Sequence, residues 1–281
     1  MGTGPHLQTL TRAQGSLIRQ LLREKRVRSS EEAFVVEGAK SCHDVISGHP
    51  QAIRSLLVSP NYLRVETDAE RKRRSSLGAR QFLCADSVFA KLTDVEVPQG
   101  ILAVVQQPRW DEGQLLGRSR ILGIYGDRLQ DPANVGAIIR TAAALNLSGV
   151  WLSADSADHF SPKVVRAAAG TLLSLPTFRT ADLRTVTLSE CEIYSAVLSS
   201  ADKVPIREIR TAPGRLLVAV GNEGAGLSSE VMQASQVRFS IPLAEGVESL
   251  NVAATVAISA FYFSGLPIDS RTYGGKPPRS V

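Results

Sequence analysis

A chain of 281 residues, 43% of them hydrophobic, can hold one large or two medium packed domains. Three scattered cysteines (Cys42, Cys84, Cys191), with no CxxC pair and no histidine at zinc spacing, favour free thiols in a reducing, cytoplasmic compartment and give no metal site. The net charge of +5 is uneven: residues 1–109 carry 16 Lys/Arg against 11 Asp/Glu, out of 32 and 27 in the whole chain, so residues 110–281 are neutral.

Taken in order, Leu17, Ile18, Leu21 and Leu22 at helical spacing predict a helix over residues 11–24, and a basic turn, Lys25–Ser30, follows. Phe34-Val35-Val36 is a short strand running into Glu37-Gly38, residues 39–47 a helix, and Ile53–Val58 a strand. Residues 66–76 suit a polar helix, Phe82-Leu83-Cys84 a strand, Asp86–Lys91 a short helix, and Ile101–Val105 a strand after the Pro98-Gln99-Gly100 turn. Together these make a compact α/β unit of about 100 residues. It bears two basic clusters, Arg23, Lys25, Arg26, Arg28 and Arg71, Lys72, Arg73, Arg74. A basic half beside a neutral half points to nucleic acid, and the alternative for either cluster is a solvated helix face. Neither a secretory signal nor a membrane span is expected. The N-terminus is polar, and Leu250–Leu266 is short and interrupted by Asn251, Thr255, Ser259 and Ser264.

Residues 108–119 form a polar connector without a clear period, and the domain boundary is expected there. Beyond it come a strand, Ile121–Tyr125, and a helix ending at Asn146 with Val135, Ile138, Ile139 and Ala142 as its apolar stripe. Another face of that helix holds Gly136, Arg140, Ala143 and Ala144. An arginine among such small residues has little of its own helix to pack on and is free for a ligand or partner, the alternative being a plain surface arginine. Gly149–Ser153, Leu175–Phe178, Glu192–Leu198 and Leu216–Val220 are further strands, and Ser161-Pro162 reads as an N-cap followed by proline at the first helical position.

Strands alternating with helices call for a mostly parallel sheet covered on both faces, with ligand loops at the carboxyl ends of its strands. Two such loops carry glycine and small polar residues, Gly221–Ser228 after one strand and Ala244–Asn251 after the next, Val237–Leu243. The last helix, Asn251–Gly265, is apolar nearly all round, so it has to be covered by its own sheet and by something else, for which a second subunit is the expected candidate.

Three segments together resemble the SpoU/TrmH branch of the SPOUT RNA methyltransferases. They are Asn134-Val-Gly136-Ala-Ile-Ile-Arg140, Gly221-Asn-Glu223-Gly-Ala-Gly226-Leu, and Ile241-Pro-Leu-Ala-Glu-Gly246-Val-Glu-Ser249-Leu250-Asn251-Val. Ser161-Pro-Lys-Val-Val-Arg166 and Leu175-Pro176 are similar to the same family. Phe34-Val-Val-Glu37-Gly38 and Pro98-Gln-Gly100-Ile-Leu-Ala-Val104 are similar to the ribosomal-protein-like substrate-binding domain that many members carry. Leu243 departs from the methionine usual after Ile-Pro, a swap between side chains of like size.

The resemblance implies methyl transfer from S-adenosylmethionine to a ribose 2′-hydroxyl of RNA, ribosomal RNA first and transfer RNA as the alternative. It implies an RNA substrate-binding domain over 1–109, a linker over 110–120, a cofactor-binding methyltransferase domain over 121–266 and a flexible tail over 267–281. In the second domain the last roughly 50 residues would thread a deep trefoil knot, against the general avoidance of knots. Gly221, Ile241 and Leu250, with the loop glycines Gly226 and Gly246, would hold the cofactor. Asn134, Arg140, Glu223, Ser249 and Asn251 would face the target nucleotide; on its charge, the cluster Arg23, Lys25, Arg26 and Arg28 is expected to grip RNA. Members are homodimers through the C-terminal domain, Asn134 and Arg140 of one subunit completing the other's site.

The residue types suit that chemistry. A sulfonium methyl is already activated, so in-line positioning and support for a developing alkoxide suffice. Arg140 is cast as base or as electrostatic stabiliser, and a guanidinium that stays protonated fits the second part at least as well. Two other classes stay open. A dinucleotide-dependent oxidoreductase would need GxGxxG after an early strand, an order that Gly221–Gly226 lacks. A non-catalytic RNA-binding protein on the same scaffold would keep the fold without the reaction.

Overall fold

The computed structural model describes residues 7–269 apart from Asp94, Ala181, Asp182 and Ser199. In chain order the elements are β1 (Gln8–Thr9), α1 (Arg12–Arg23), α2 (Lys25–Ser30), β2 (Ala33–Glu37), α3 (Ala39–Gly48), β3 (Ile53–Val58), α4 (Pro60–Val65), α5 (Asp68–Ser75), β4 (Arg80–Leu83), α6 (Asp86–Leu92) and β5 (Ile101–Gln106). Then follow α7 (Glu112–Leu116), β6 (Ile121–Gly126), α8 (Pro132–Ala144), β7 (Gly149–Ser153), α9 (Pro162–Ala168), β8 (Thr177–Thr180), α10 (Arg184–Leu188), β9 (Glu192–Ala196), β10 (Val204–Pro205), β11 (Arg215–Val220), α11 (Ser229–Ala234), β12 (Val237–Ser240) and α12 (Val252–Ser264). The described residues up to Arg109, together with Asp158–Leu173, pack as one unit, and the remainder as another.

The first unit is a five-stranded sheet in the order β1-β4-β3-β5-β2. Strand β5 runs antiparallel to both β2 and β3, while β4 is parallel to β3. Helix α1 buries Ile18, Leu21 and Leu22 against Val35, Leu57, Phe82 and Leu102 of the sheet. Its start is set by a capping box, with the Thr11 hydroxyl accepting from the Gln14 N–H and the Gln14 side chain accepting from Thr11 in return.

The segment Asp158–Leu173, which sequence order alone would leave in the C-terminal domain, belongs to this first unit, with α9 packed on β2. Phe160 stacks on Phe34 at 5.0 Å between ring centroids. Arg28 pairs with Asp158 at 2.7 Å, and Arg166 with Glu37 at 3.2 Å. Each tie joins residues more than a hundred positions apart, so no local pattern could announce it.

The second unit is a seven-stranded sheet, β10-β12-β9-β11-β6-β7-β8, in which every described pairing is parallel. Strands buried on both faces read as continuous apolar runs. Accordingly all five residues of β7, Gly149-Val-Trp-Leu-Ser153, are buried, with Trp151 in the core of one face. Helices α8 and α12 pack on each other, and α12 lies on β6 and β11.

Local differences from the sequence pattern have local causes. Lys25–Ser30 is a helix rather than a turn, because extended backbone at Glu24 (φ −112°, ψ 110°) ends α1 and starts α2. The connector contains α7, capped by Asp111 and anchored by buried Leu115 and Leu116, a segment too short to show a period. Pro60 at a first helical position starts α4, which has no apolar period to announce it. Ser161 precedes Pro162 as expected, but its hydroxyl makes no capping bond. Of the tail expected over 267–281, residues 267–269 are instead held as a parallel bridge to Ala212, whose N–H donates to the Pro267 carbonyl at 3.0 Å and whose carbonyl accepts from the Asp269 N–H at 2.9 Å. The rest lies outside the described residues. Among the described residues no helix is long and apolar enough to cross a membrane.

Candidate active site

A cavity of about 820 Å³ opens at the carboxyl ends of β9, β11 and β12. Its wall is formed by the loop after β11, the loop after β12 and the first turn of α12. Gly221, Gly226, Ile241 and Leu250, four of the five residues expected to hold a cofactor, line it; Gly246, at φ +81°, does not.

The loop after β11 is a closed turn. The Asn222 N–H donates to the Gly226 carbonyl at 3.0 Å, and the Gly226 N–H donates back to the Asn222 carbonyl at 2.9 Å. The Asn222 side-chain oxygen accepts from the N–H groups of Gly224 at 3.0 Å and Ala225 at 2.8 Å. A Cβ on Gly221 would sit 2.3 Å from the Gly226 carbonyl carbon, so only glycine permits this closure.

Three of the expected site residues form a hydrogen-bonded chain, of which Glu223 and Asn251 line the cavity and Asn134, buried between them, does not. Asn251 caps α12, its Oδ1 accepting from the Ala253 N–H at 2.8 Å. That leaves its Nδ2 to donate to Asn134 Oδ1 at 2.9 Å, and Asn134 Nδ2 in turn donates to Glu223 Oε1 at 3.0 Å. Because helix capping settles which end of the Asn251 amide is oxygen, the orientation of Asn134 follows. Glu223 also accepts from the N–H groups of Gln130 at 3.4 Å and Asp131 at 3.3 Å, at the start of α8. Burial alone would raise the Glu223 carboxyl, but the Asn134 amide and the backbone N–H groups of Glu223, Gln130 and Asp131 outweigh it and hold its pKa below the ordinary value.

Ser249 is exposed on the rim of the same cavity. Arg140, two turns along α8 from Asn134, is exposed, has no hydrogen-bond or ion-pair partner among the described residues and does not line the cavity. Lys203, Met232 and Thr255, which the motifs do not single out, do line it. Thr255 was findable as the residue one helical turn beyond Asn251, whereas Lys203 and Met232 lie in segments without a motif. Among the described residues, no group of three or more His, Cys, Asp or Glu could hold a metal ion.

Of the residues expected to grip RNA, Arg23, Lys25 and Arg26 are exposed. Arg28 is 5% exposed; besides the pair with Asp158, its Nη1 donates to the Leu21 carbonyl at 2.7 Å. Its charge is spent inside the first unit. Arg74 of the second cluster is likewise buried, in a two-pronged pair with Glu66 at 2.6 and 2.9 Å.

Residues 122–261 match the SpoU rRNA methylase family, and residues 18–103 match the MRM3-like substrate-binding domain. The 23S rRNA (guanosine(2553)-2′-O)-methyltransferase RlmP of Bacillus subtilis is 30% identical over 247 residues, spanning 87% of this chain and 93% of that protein. The chain belongs to the SpoU rRNA methylase family. A second relative, the 23S rRNA (uridine(2479)-2′-O)-methyltransferase of Streptomyces viridochromogenes, is 31% identical across 85% of this chain and 84% of its own. The crystal structure of the SpoU methyltransferase AviRb from Streptomyces viridochromogenes, in complex with S-adenosylmethionine, matches with a TM-score of 0.78 at 26% identity over 90% of this chain and 97% of that one. The family resemblance carried by the three motifs is thus borne out, together with the α/β fold, and the oxidoreductase reading falls.

Proposed function

We propose that the protein transfers a methyl group from S-adenosylmethionine to a ribose 2′-hydroxyl of 23S ribosomal RNA, in the cytoplasm. The observation that carries this reading is one cavity walled by both glycine loops, with Glu223 and Asn251 on its lining joined through Asn134. At about 820 Å³ the cavity suits a cofactor-sized ligand. Val220, Leu227, Met232 and Phe239 offer an apolar wall for a base, while the carboxylates of Glu223 and Glu248 on the lining suit a cationic sulfonium. When bound, the cofactor supplies a methyl already activated toward an oxygen nucleophile.

In this reading Gly221, Ile241 and Leu250 hold the cofactor through their backbone, and Gly226 and Gly246 shape the two loops. Asn134, Ser249 and Asn251 orient the ribose, with Glu223 fixing Asn134. Arg140 stabilises the developing alkoxide, and the 2′-hydroxyl proton passes to solvent water. Because Arg140 stands away from the cavity of its own chain, it serves that of a second subunit. The chain then works as a homodimer through its C-terminal domain, and its last segment threads the trefoil knot of the SPOUT enzymes. Residues 1–109 are the RNA substrate-binding domain, gripping RNA with Arg23, Lys25 and Arg26, and 121–266 the methyltransferase domain.

The test is single-turnover methylation of 23S rRNA with labelled cofactor, followed by mapping of the methylated ribose. One 2′-O-methyl site is expected. Arg140→Ala should keep cofactor affinity and lose about 10²–10³ in rate, the usual cost of removing a charge aimed at a developing oxyanion. Methylation of transfer RNA alone would move the substrate, and absence of transfer to any RNA would leave a binding protein on an enzyme scaffold.

A further inference from the structure

Asp127 and Arg128, directly after β6, belong to none of the three sequence motifs, and neither lines the cavity. Yet both are bonded to the loop after β11. Arg128 has φ +55°, a left-handed conformation that costs an L-residue energy and persists only where its surroundings enforce it. Its N–H donates to the Ser153 hydroxyl at 2.7 Å, which pins that conformation. Its carbonyl accepts from Asn222 Nδ2 at 2.9 Å, at the start of the loop. Its guanidinium Nη2 donates to the Gly226 carbonyl at 3.1 Å, at the end of the loop. Asp127, 4% exposed, accepts from the Ser228 N–H at 2.7 Å just beyond and lies 3.4 Å from Arg128 Nε.

We propose that Asp127 and Arg128 form a clamp that presets the Gly221–Ser228 loop, making Arg128 a positioning residue for cofactor binding. The cofactor half of this rests on the function proposed above. A loop containing Gly221, Gly224 and Gly226 is free to take many shapes, and ordering it on binding would cost affinity. Holding both ends from one strained residue removes that cost beforehand. Arg128 acts through Gly226 and Asn222, which do line the cavity.

Arg128→Gly is the informative variant. Glycine adopts the left-handed conformation freely, so relief of strain offsets its greater freedom in the unfolded chain, and any fall in melting temperature comes from the lost ion pair with Asp127. What disappears is the guanidinium, and with it the bond to Gly226 and the ion pair with Asp127, whose carboxylate keeps the Ser228 N–H. Amide hydrogen exchange across Gly224–Ser228 in the cofactor-free protein should then accelerate about ten-fold or more, and the dissociation constant for S-adenosylmethionine, by calorimetry, should rise about ten-fold, the worth of one charge-assisted hydrogen bond. Unchanged loop exchange overturns the clamp. A lowered melting temperature with exchange accelerated throughout the second unit overturns it too, since Arg128 would then be a general prop of the fold. Faster loop exchange with unchanged affinity overturns its role toward the cofactor. If the wild-type protein binds no S-adenosylmethionine, the proposed function and the cofactor half fall together, while the exchange data still decide the clamp.

Discussion

Glu223 shows how one side chain's charge is set by groups far from it in sequence. Its carboxyl accepts from the Asn134 amide and from the start of α8 together, and those donors favour the ionised form and keep its pKa below its ordinary 4.5. The folded state therefore binds the proton less readily than the unfolded chain. Stability from this source is fully present above the unfolded value and is lost as pH falls through the folded one. Thermal unfolding of wild type and Glu223→Gln across about pH 3–7 should show the wild type more stable at neutral pH and the two curves converging in acid. A constant gap down to the lowest pH would mean that the ionised carboxylate is not what matters at this position. Arg140 is the opposite case. It has no partner among the described residues, so its presence on α8 has no explanation in the packing of its own chain.

At the scale of elements, α12 is informative because it is only half covered. Val256, Ser259, Ala260 and Phe263 are buried, but Ile258 is 42% and Phe261 70% exposed. A phenylalanine left that open on an otherwise apolar helix asks for a cover, and a second copy of the helix is the one consistent with the proposed dimer. Phe261→Asp places a charge in that contact and should give a monomer by light scattering at micromolar protein, with methyl transfer falling alongside. A dimeric mass in this variant would place the subunit contact elsewhere. Helix α9 teaches a related lesson: it is short and unremarkable in sequence, and it and the residues leading into it are tied to Glu37, Phe34 and Arg28, contributed by earlier elements.

Over the whole molecule, the basic character of the N-terminal half divides into two populations that composition counts alike. Arg28 and Arg74 are buried ion-pair partners, and Arg23, Lys25 and Arg26 face solvent. Replacing the three exposed residues by glutamine should leave the melting temperature unchanged. It should also flatten the dependence of log RNA affinity on log salt by up to about 0.7–0.9 for each phosphate left unneutralised. Arg28→Ala should do the reverse, costing about 3 kcal/mol or more by stranding Asp158 without its partner. An equal salt slope in the triple variant would move the RNA-binding surface away from α1 and α2.

Much of this was legible in the residues themselves. Apolar runs of strand length alternating with helical spacing are local properties, and they announced the parallel sheet and nearly every element bound to it. Glycine and small polar residues at strand ends marked both cavity loops, because a closure such as Gly221 against Gly226 tolerates nothing larger. What tertiary structure alone decided depends on pairs distant in the chain. The Glu223–Asn134–Asn251 chain, the commitment of Arg28 to Asp158, the transfer of residues 158–173 to the first unit and the hold of Arg128 on Gly226 each join groups from separate segments. A sequence states which side chains are available; which of them meet, and so which charges are committed to folding and which stay exposed to solvent, is settled only when the sheet brings those segments together.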